Sequence, residues 1–177
     1  MKKDINKNLL FLNLENVRTT NPLIFKEVKN WIKSLTDKSD FEDGDDFTKF
    51  VNKNLKLRHP FGVFILFSPD INDTVGIVSV VPDDQNVEKE NNLDKAGIWI
   101  GGLNIKKQYR GMGYGTAFFK KLDDYLLNLN KKNQVSLFAN NPVALKIYKK
   151  FGFKKTGLKV YKPKENIVYT KIYFNNL

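Results

Sequence analysis

Residues Gln108–Gly115 read QYRGMGYG, which places three glycines and an arginine in eight positions. The run AGIWIGGLNI, Ala96 to Ile105, is strand-like and comes just before. A helical pattern follows from Tyr114 to Asn130, with Phe118, Leu122, Leu126 and Leu129 at helical spacing. A glycine loop between a strand and a helix gathers unpaired backbone N–H groups at the positive end of the helix dipole. Glycine also permits positive φ and lets an anion come close to the backbone. The context therefore predicts an anion site, where isolated glycines would suggest only a tight turn.

Two familiar phosphate loops do not fit. A Walker loop carries Lys and Ser or Thr directly after its last glycine, and here Gly115 is followed by Thr116–Ala117. In a dinucleotide fingerprint the third glycine would fall on Thr116, and no acid stands about twenty residues further on. The stretch does fit Q-x-x-G-x-G, with Gln108, Gly111 and Gly113.

Outward from the loop, Leu9–Leu14 reads as a first strand, and Asn21–Pro22 opens a helix with Leu23, Val28, Trp31 and Leu35 on its apolar positions. SDFEDGDD interrupts, and Phe47, Phe50, Val51 and Leu55 predict a second helix with Asp45 and Asp46 at its amino end. Gly62–Phe67 and Thr74–Val81 are strands on either side of a hairpin turn, SPDIND. Pro82–Lys95 is a long polar loop, and Gly97–Ile105 a fourth strand. Its Gly101–Gly102 pair suggests a bulge or a close approach. Gln134–Ala139 is a strand, Pro142–Phe151 a short helix ended by Gly152, and Phe153–Tyr161 and Ile167–Phe174 are closing strands. The order β-α-α-β-β-β-α-β-α-β-β describes a mixed α/β domain on a sheet of about seven strands. With no repeat or low-complexity linker, residues 1–177 are expected to form a single domain.

Composition narrows the chemistry. Apolar content of 41% and aromatic content of 13% suit a folded globule. There are no cysteines and one histidine, His59, so thiolate nucleophiles, disulfides and histidine-rich metal sites drop out, and no metal is expected. His59, ahead of Pro60, reads as a turn residue. The apolar runs GVFILF and VGIVSVV are strand-sized, the amino-terminal apolar run is too short for a secretory signal, and the expectation is a soluble cytoplasmic protein. A net charge of +11 is compatible with an anionic ligand or with nucleic acid, although the lysines are spread along the chain.

At this point the sequence resembles a known family. QYRGMGYGTA looks like motif A of the GNAT superfamily of acetyl-coenzyme A-dependent N-acetyltransferases. Further on, NPVALKIYKKFGF, Asn141 to Phe153, resembles that family's N-x-x-A-x-x-x-Y-x-x-x-G-F signature. Both motifs occur in the family's order, one helix and one strand apart. The resemblance implies a GNAT-like fold: a twisted, mostly antiparallel sheet of about seven strands flanked by about four helices, with strands four and five splayed to hold the cofactor. It implies acetyl-coenzyme A as co-substrate. The pyrophosphate would lie on the loop of Gln108, Tyr109, Arg110, Gly111, Met112, Gly113, Tyr114 and Gly115, and the pantetheine arm along Leu103, Asn104 and Ile105. Tyr148 would give a proton to the departing thiolate. A phenol with a pKa near ~10 facing a thiol near ~8.5 is a workable donor, and positioned acid catalysis contributes roughly 10²–10⁴-fold. Asn141 is an N-cap before Pro142, and the resemblance adds a contact to the cofactor arm.

The implied reaction is transfer of an acetyl group to a primary amine of a small molecule or protein, by direct attack in a ternary complex. No acid lies between Lys95 and Lys107, so no general base is assigned. The acidic run Asp40, Glu42, Asp43, Asp45 and Asp46 could attract a cationic acceptor or could simply be a solvated loop with helix-dipole partners. Rival readings are a nucleic-acid-binding module, suggested by Lys106, Lys107 and Arg110 beside the loop, an enzyme acetylating charged tRNA or a ribosomal protein, and a non-catalytic acyl-coenzyme A sensor. No membrane partner is expected. Relatives are often homodimers, but no stretch of this sequence marks an interface.

Overall fold

The computed structural model describes residues 8–36, 44–82, 97–129, 133–139, 141–160 and 166–173. The elements are β1 Leu10–Asn13, α1 Leu14–Thr20, α2 Pro22–Thr36, α3 Gly44–Leu55, β2 Gly62–Ser68, β3 Asp73–Val81, β4 Ile98–Ile105, α4 Tyr114–Leu127, β5 Asn133–Ala139, α5 Pro142–Lys150, β6 Lys154–Val160 and β7 Asn166–Tyr173. A 3₁₀ turn, Lys107–Tyr109, stands between β4 and α4. The seven strands lie in the order β1-β2-β3-β4-β5-β7-β6. The pairs β1–β2, β2–β3, β5–β7 and β6–β7 are antiparallel, and β4–β5 is parallel. The mixed α/β sheet anticipated from the sequence is present.

There is one more α-helix than the sequence pattern suggests. The first strand ends at Asn13, and Leu14 already belongs to α1. Asn13 stops the strand because its Oδ1 accepts from the backbone N–H of Glu15 at 2.9 Å and of Asn16 at 3.3 Å, a helix N-cap. Asn21 separates α1 from α2. Its own N–H closes α1 on Val17 O at 2.8 Å, and its Oδ1 accepts from Ile24 N at 3.3 Å ahead of α2. Pro22 follows at the first helical position, where its missing N–H costs nothing. The loop expected over Pro82–Lys95 lies outside the described residues apart from Pro82, as do Asp40, Glu42 and Asp43 of the acidic run.

By contact density the chain divides into two compact units. One comprises Met1–Val80 with Gly102–Phe118, the other Val81–Gly101 with Phe119–Leu177. In the first unit, α1, α2 and α3 bury Leu14, Val17, Val28, Ile32 and Val51 together with Val63, Ile65 and Ile77 of the sheet. β2 is buried along its full length, as its unbroken apolar run requires of a strand covered on both faces. The turn joining β2 to β3 uses Asn72 at φ 48°, with Asn72 N bonded to Pro69 O at 3.2 Å.

In the second unit, β5 and β7 pair over seven positions from Asn133↔Tyr173 to Ala139↔Ile167. The Ser136 and Thr170 hydroxyls meet across this ladder at 2.9 Å. Asp123 of α4 accepts from Lys171 Nζ of β7 at 2.6 Å. The β4–β5 ladder registers two pairs, Ile98↔Val135 and Trp99↔Ser136, at the start of β4. Further along, β4 carries Gly102 at φ 64° and becomes partly exposed from Gly101 to Ile105. No helix among the described residues is long and apolar enough to cross a membrane.

Candidate active site

In the first unit the path from β4 into α4 is fixed by short-range bonds. Lys106 N donates to Val75 O at 2.9 Å, which ends β4 against β3. The 3₁₀ turn closes with Tyr109 N on Lys106 O at 2.9 Å and Arg110 N on Lys107 O at 3.2 Å. Gly111 and Gly113 then take φ 78° and 92°, the left-handed region where L side chains are strained. The loop finishes at Tyr114, the first residue of α4. Ala117 N reaches Gly113 O at 3.1 Å, and the N–H groups before it belong to the first turn, where an α-helix supplies no partner of its own.

This arrangement suits an anion. Gly111, Met112 and Gly113 are exposed, and a Cβ placed on Gly111 would meet nothing within 4 Å. The first turn of α4 holds no acid that would compete for the open donors. Gly111→Ala is therefore a test of backbone conformation alone, because the added methyl clashes with nothing. Holding alanine at this φ costs roughly 1–2 kcal/mol. That cost falls on binding, because the exposed loop can leave this conformation in the free protein and must take it up again around the anion: coenzyme A should bind about tenfold more weakly by calorimetry while the thermal midpoint moves little.

Two of the cations beside the loop, Arg110 and Lys106, have partners within the fold. Arg110 Nε donates to Ile105 O at 2.9 Å, and its guanidinium also reaches Asn104 Oδ1 at 3.2 Å. Arg110 thus grips the end of β4. Lys106 Nζ lies 2.5 Å from Asp73 Oδ1 and 5.5 Å from the ring centre of Trp31 on α2. The other carboxylate oxygen, Asp73 Oδ2, accepts from Tyr109 OH at 2.6 Å. Partial burial would raise the Asp73 carboxyl, but the bonds from Lys106 and Tyr109 and the ammonium charge outweigh it and hold the group below the usual carboxylate range. The same bond to Asp73, with burial second, raises the Tyr109 phenol. No motif or spacing in the sequence marks Asp73. It lies 33 and 36 residues from its two partners, within a stretch that reads as a hairpin turn.

The second unit carries Asn141 and Tyr148. Asn141 Oδ1 accepts from Val143 N at 2.9 Å and Ala144 N at 3.3 Å, so the expected N-cap of α5 is present. Gly152, at φ 87°, ends that helix, and Phe153 N turns back to Tyr148 O at 3.1 Å. Three positions of the N…Y…GF pattern thus shape the helix itself, since Asn141 starts it, Gly152 stops it and Phe153 folds over it. Tyr148 is 7% exposed, and its ring centre lies 5.1 Å from Phe119 and 6.3 Å from Phe153. Burial pushes its phenol up to about 12.

The Tyr125 phenol is likewise pushed up to about 12 by burial. A phenol in the unfolded chain titrates near ~10, so between about pH 10 and 12 the unfolded state releases protons that the folded state keeps. The stabilisation is complete below about pH 10 and is lost as pH rises toward the folded values. In denaturant titrations over this window Tyr148→Phe should lose stability less steeply than the wild type. An equal slope would contradict the assignment.

His59 is exposed in the connection before β2. Asp45 and Asp46 fall in the first turn of α3.

Over 62 positions, 34% of this chain, the sequence is 36% identical to a probable spermine N(1)-acetyltransferase of Bacillus subtilis subsp. natto (strain BEST195). The spermine/spermidine N(1)-acetyltransferase of Bacillus subtilis (strain 168) is 34% identical over 62 positions, again 34% of this chain. The chain spans only 41% of the length of either relative. Among solved structures, the spermidine N-acetyltransferase of Vibrio cholerae, in complex with CoA and spermine, shares the fold with a TM-score of 0.61. It does so at 14% identity, over 93% of this chain and 95% of that one. The sequence model of the Acetyltransferase (GNAT) family matches residues 25–153, well over half of the chain, and the protein belongs to that family.

Proposed function

We propose that this chain, acting as one acetyltransferase domain over residues 1–177, transfers an acetyl group from acetyl-coenzyme A to a primary amine of a small polyamine. The observation that carries this reading is the glycine loop: backbone donors at the start of α4, exposed Gly111 and Gly113 with free space beside Gly111, and no acid in the helix's first turn. These features fit the pyrophosphate of coenzyme A. The chain crosses between its two compact units at residues 80/81, 101/102 and 118/119, an interleaving that supports a single domain. The polyamine acceptor is supported by the curated relatives and by the spermine held in the Vibrio cholerae structure.

When bound, the thioester supplies an activated acetyl group. The backbone N–H groups from Tyr109 to Gly115, with Gln108 at the loop's entry, would hold the pyrophosphate. The edge of Leu103, Asn104 and Ile105 would hold the pantetheine arm, and Asn141 would add a contact to it. Arg110 spends two of its five N–H donors on Ile105 O and Asn104 Oδ1, which leaves three that could meet the phosphates. Attack by a neutral amine forms the C–N bond as the C–S bond breaks, with the electron pair leaving on sulfur. Tyr148 would deliver the proton sulfur needs; the proton lost by nitrogen would pass to solvent, from which the Tyr148 phenolate would take up its replacement. A phenol raised to about 12 stays protonated throughout the physiological range, so this donor is always loaded.

The test is thiol release from acetyl-coenzyme A across a panel of spermidine, spermine, aminoglycosides, amino acids and lysine peptides. Turnover with the polyamines well above the no-acceptor rate is the expected result. Preference for a peptide would replace the acceptor class, and silence across the panel would overturn the reading.

A further inference from the structure

Resting on the reading of the glycine loop as the coenzyme A site, we infer that Asp73 is a positioning residue for that loop, a carboxylate clamp that sets where the pyrophosphate-binding backbone begins. Its two oxygens take different partners at the loop's entry: Oδ1 takes Lys106 Nζ at 2.5 Å, and Oδ2 takes Tyr109 OH at 2.6 Å. These partners bracket the 3₁₀ turn Lys107–Tyr109, so one side chain on β3 fixes both ends of the turn that leads into Gly111.

The clamp extends in two directions. Beyond Tyr109, its ring meets the Tyr114 ring edge-on at 5.7 Å, which ties the start of the loop to the first residue of α4. Beyond Lys106, the ammonium lies over Trp31 of α2. The exposed donors are thereby held between two fixed points. Lys106 and Asp73 keep only 14% and 22% of their side-chain surface exposed, unlike the solvated pairs that contribute little to a fold. A site that binds through backbone N–H groups depends on where those groups are held, because no side chain can reach out to compensate.

Charge and position predict opposite signs for the same substitution. Asp73→Asn removes a negative charge a few residues from an anion site and leaves Lys106 without its counter-ion. Plain electrostatics would then tighten coenzyme A binding. The clamp predicts weaker binding, because asparagine cannot accept from both Lys106 and Tyr109 through charged oxygens.

Calorimetry with coenzyme A on the wild type, Asp73→Asn, Tyr109→Phe and the double variant separates the two. Asp73→Asn should weaken binding about tenfold, the affinity equivalent of one charge-assisted hydrogen bond. Tyr109→Phe leaves the charge untouched and should weaken binding about threefold. The double variant should be no worse than Asp73→Asn, because both act through one contact. In turnover assays KM for acetyl-coenzyme A should rise while kcat and KM for the amine stay put, a split that general loss of stability does not produce. Equal or tighter binding by Asp73→Asn, or additive effects in the double variant, would overturn the inference. Should Asp73→Asn not fold, the isosteric Tyr109→Phe decides by itself. A wild type that fails to bind coenzyme A would remove the functional reading and this inference with it.

Discussion

Tyr148→Phe should lower kcat by about a hundredfold or more, the usual scale for loss of a positioned acid, while KM for acetyl-coenzyme A and for the amine hold close to wild type. The reasoning starts from packing. The Tyr148 ring lies in a cluster with Phe119 and Phe153, and phenylalanine keeps that ring and its contacts. Only the hydroxyl is lost. If Tyr148 were merely another aromatic on the buried face of α5, the variant would turn over as fast as the wild type. Steady-state rates at saturating co-substrate, with coenzyme A affinity measured separately, distinguish the two roles. Undiminished kcat would reduce Tyr148 to a core residue, and lost affinity with unchanged kcat would make it a binding residue.

Gly76→Ala should damage both stability and cofactor binding, for a reason of space. Gly76 lies on β3 beside the end of β4, and a Cβ there would come within 2.7 Å of Ile105 Cδ1, 2.8 Å of Phe118 Cδ1 and 2.9 Å of Asn104 O. Real Cβ atoms do not tolerate such contacts. The Asn104 oxygen is backbone, so relief requires β4 itself to move at Asn104 and Ile105, the segment proposed to hold pantetheine. Overpacking of this kind costs about 1–3 kcal/mol, and each kcal/mol lowers the melting midpoint of a chain this size by about 2–4 °C. KM for acetyl-coenzyme A should rise along with the loss in midpoint. A variant with wild-type midpoint and KM would show that β4 can shift freely there. Gly111→Ala is the contrast, since it adds the same methyl into open space and should affect binding with little change in stability.

What the sequence made legible follows from how local each signal is. The loop from Gln108 to Gly115 could be read because positive φ at Gly111 and Gly113 demands glycine, whatever packs nearby. Asn141–Pro142 at one end of α5 and Gly152 at the other were legible for the same reason, as caps act within one turn. The extra helix α1 escaped because Leu14 continues the apolar run of the strand before it, and one cap at Asn13 outweighs that run. Nothing local distinguishes Asp73 from any turn aspartate. Its role comes from the hairpin that brings it beside Lys106 and Tyr109, which no spacing in the linear sequence encodes. The partners of Arg110 were hidden differently. A cation in a phosphate loop suggests a phosphate, and the fold gives it Ile105 O and Asn104 Oδ1.

The most direct test of acetyl transfer is the mass spectrum of spermidine after incubation with this protein and acetyl-coenzyme A, with free thiol titrated in the same sample. The proposed function predicts spermidine carrying one acetyl group, formed in step with the thiol and absent when either the protein or acetyl-coenzyme A is omitted. Unmodified spermidine with no thiol released, from protein shown to bind coenzyme A, would contradict it and leave a chain that holds the cofactor without using it on this amine.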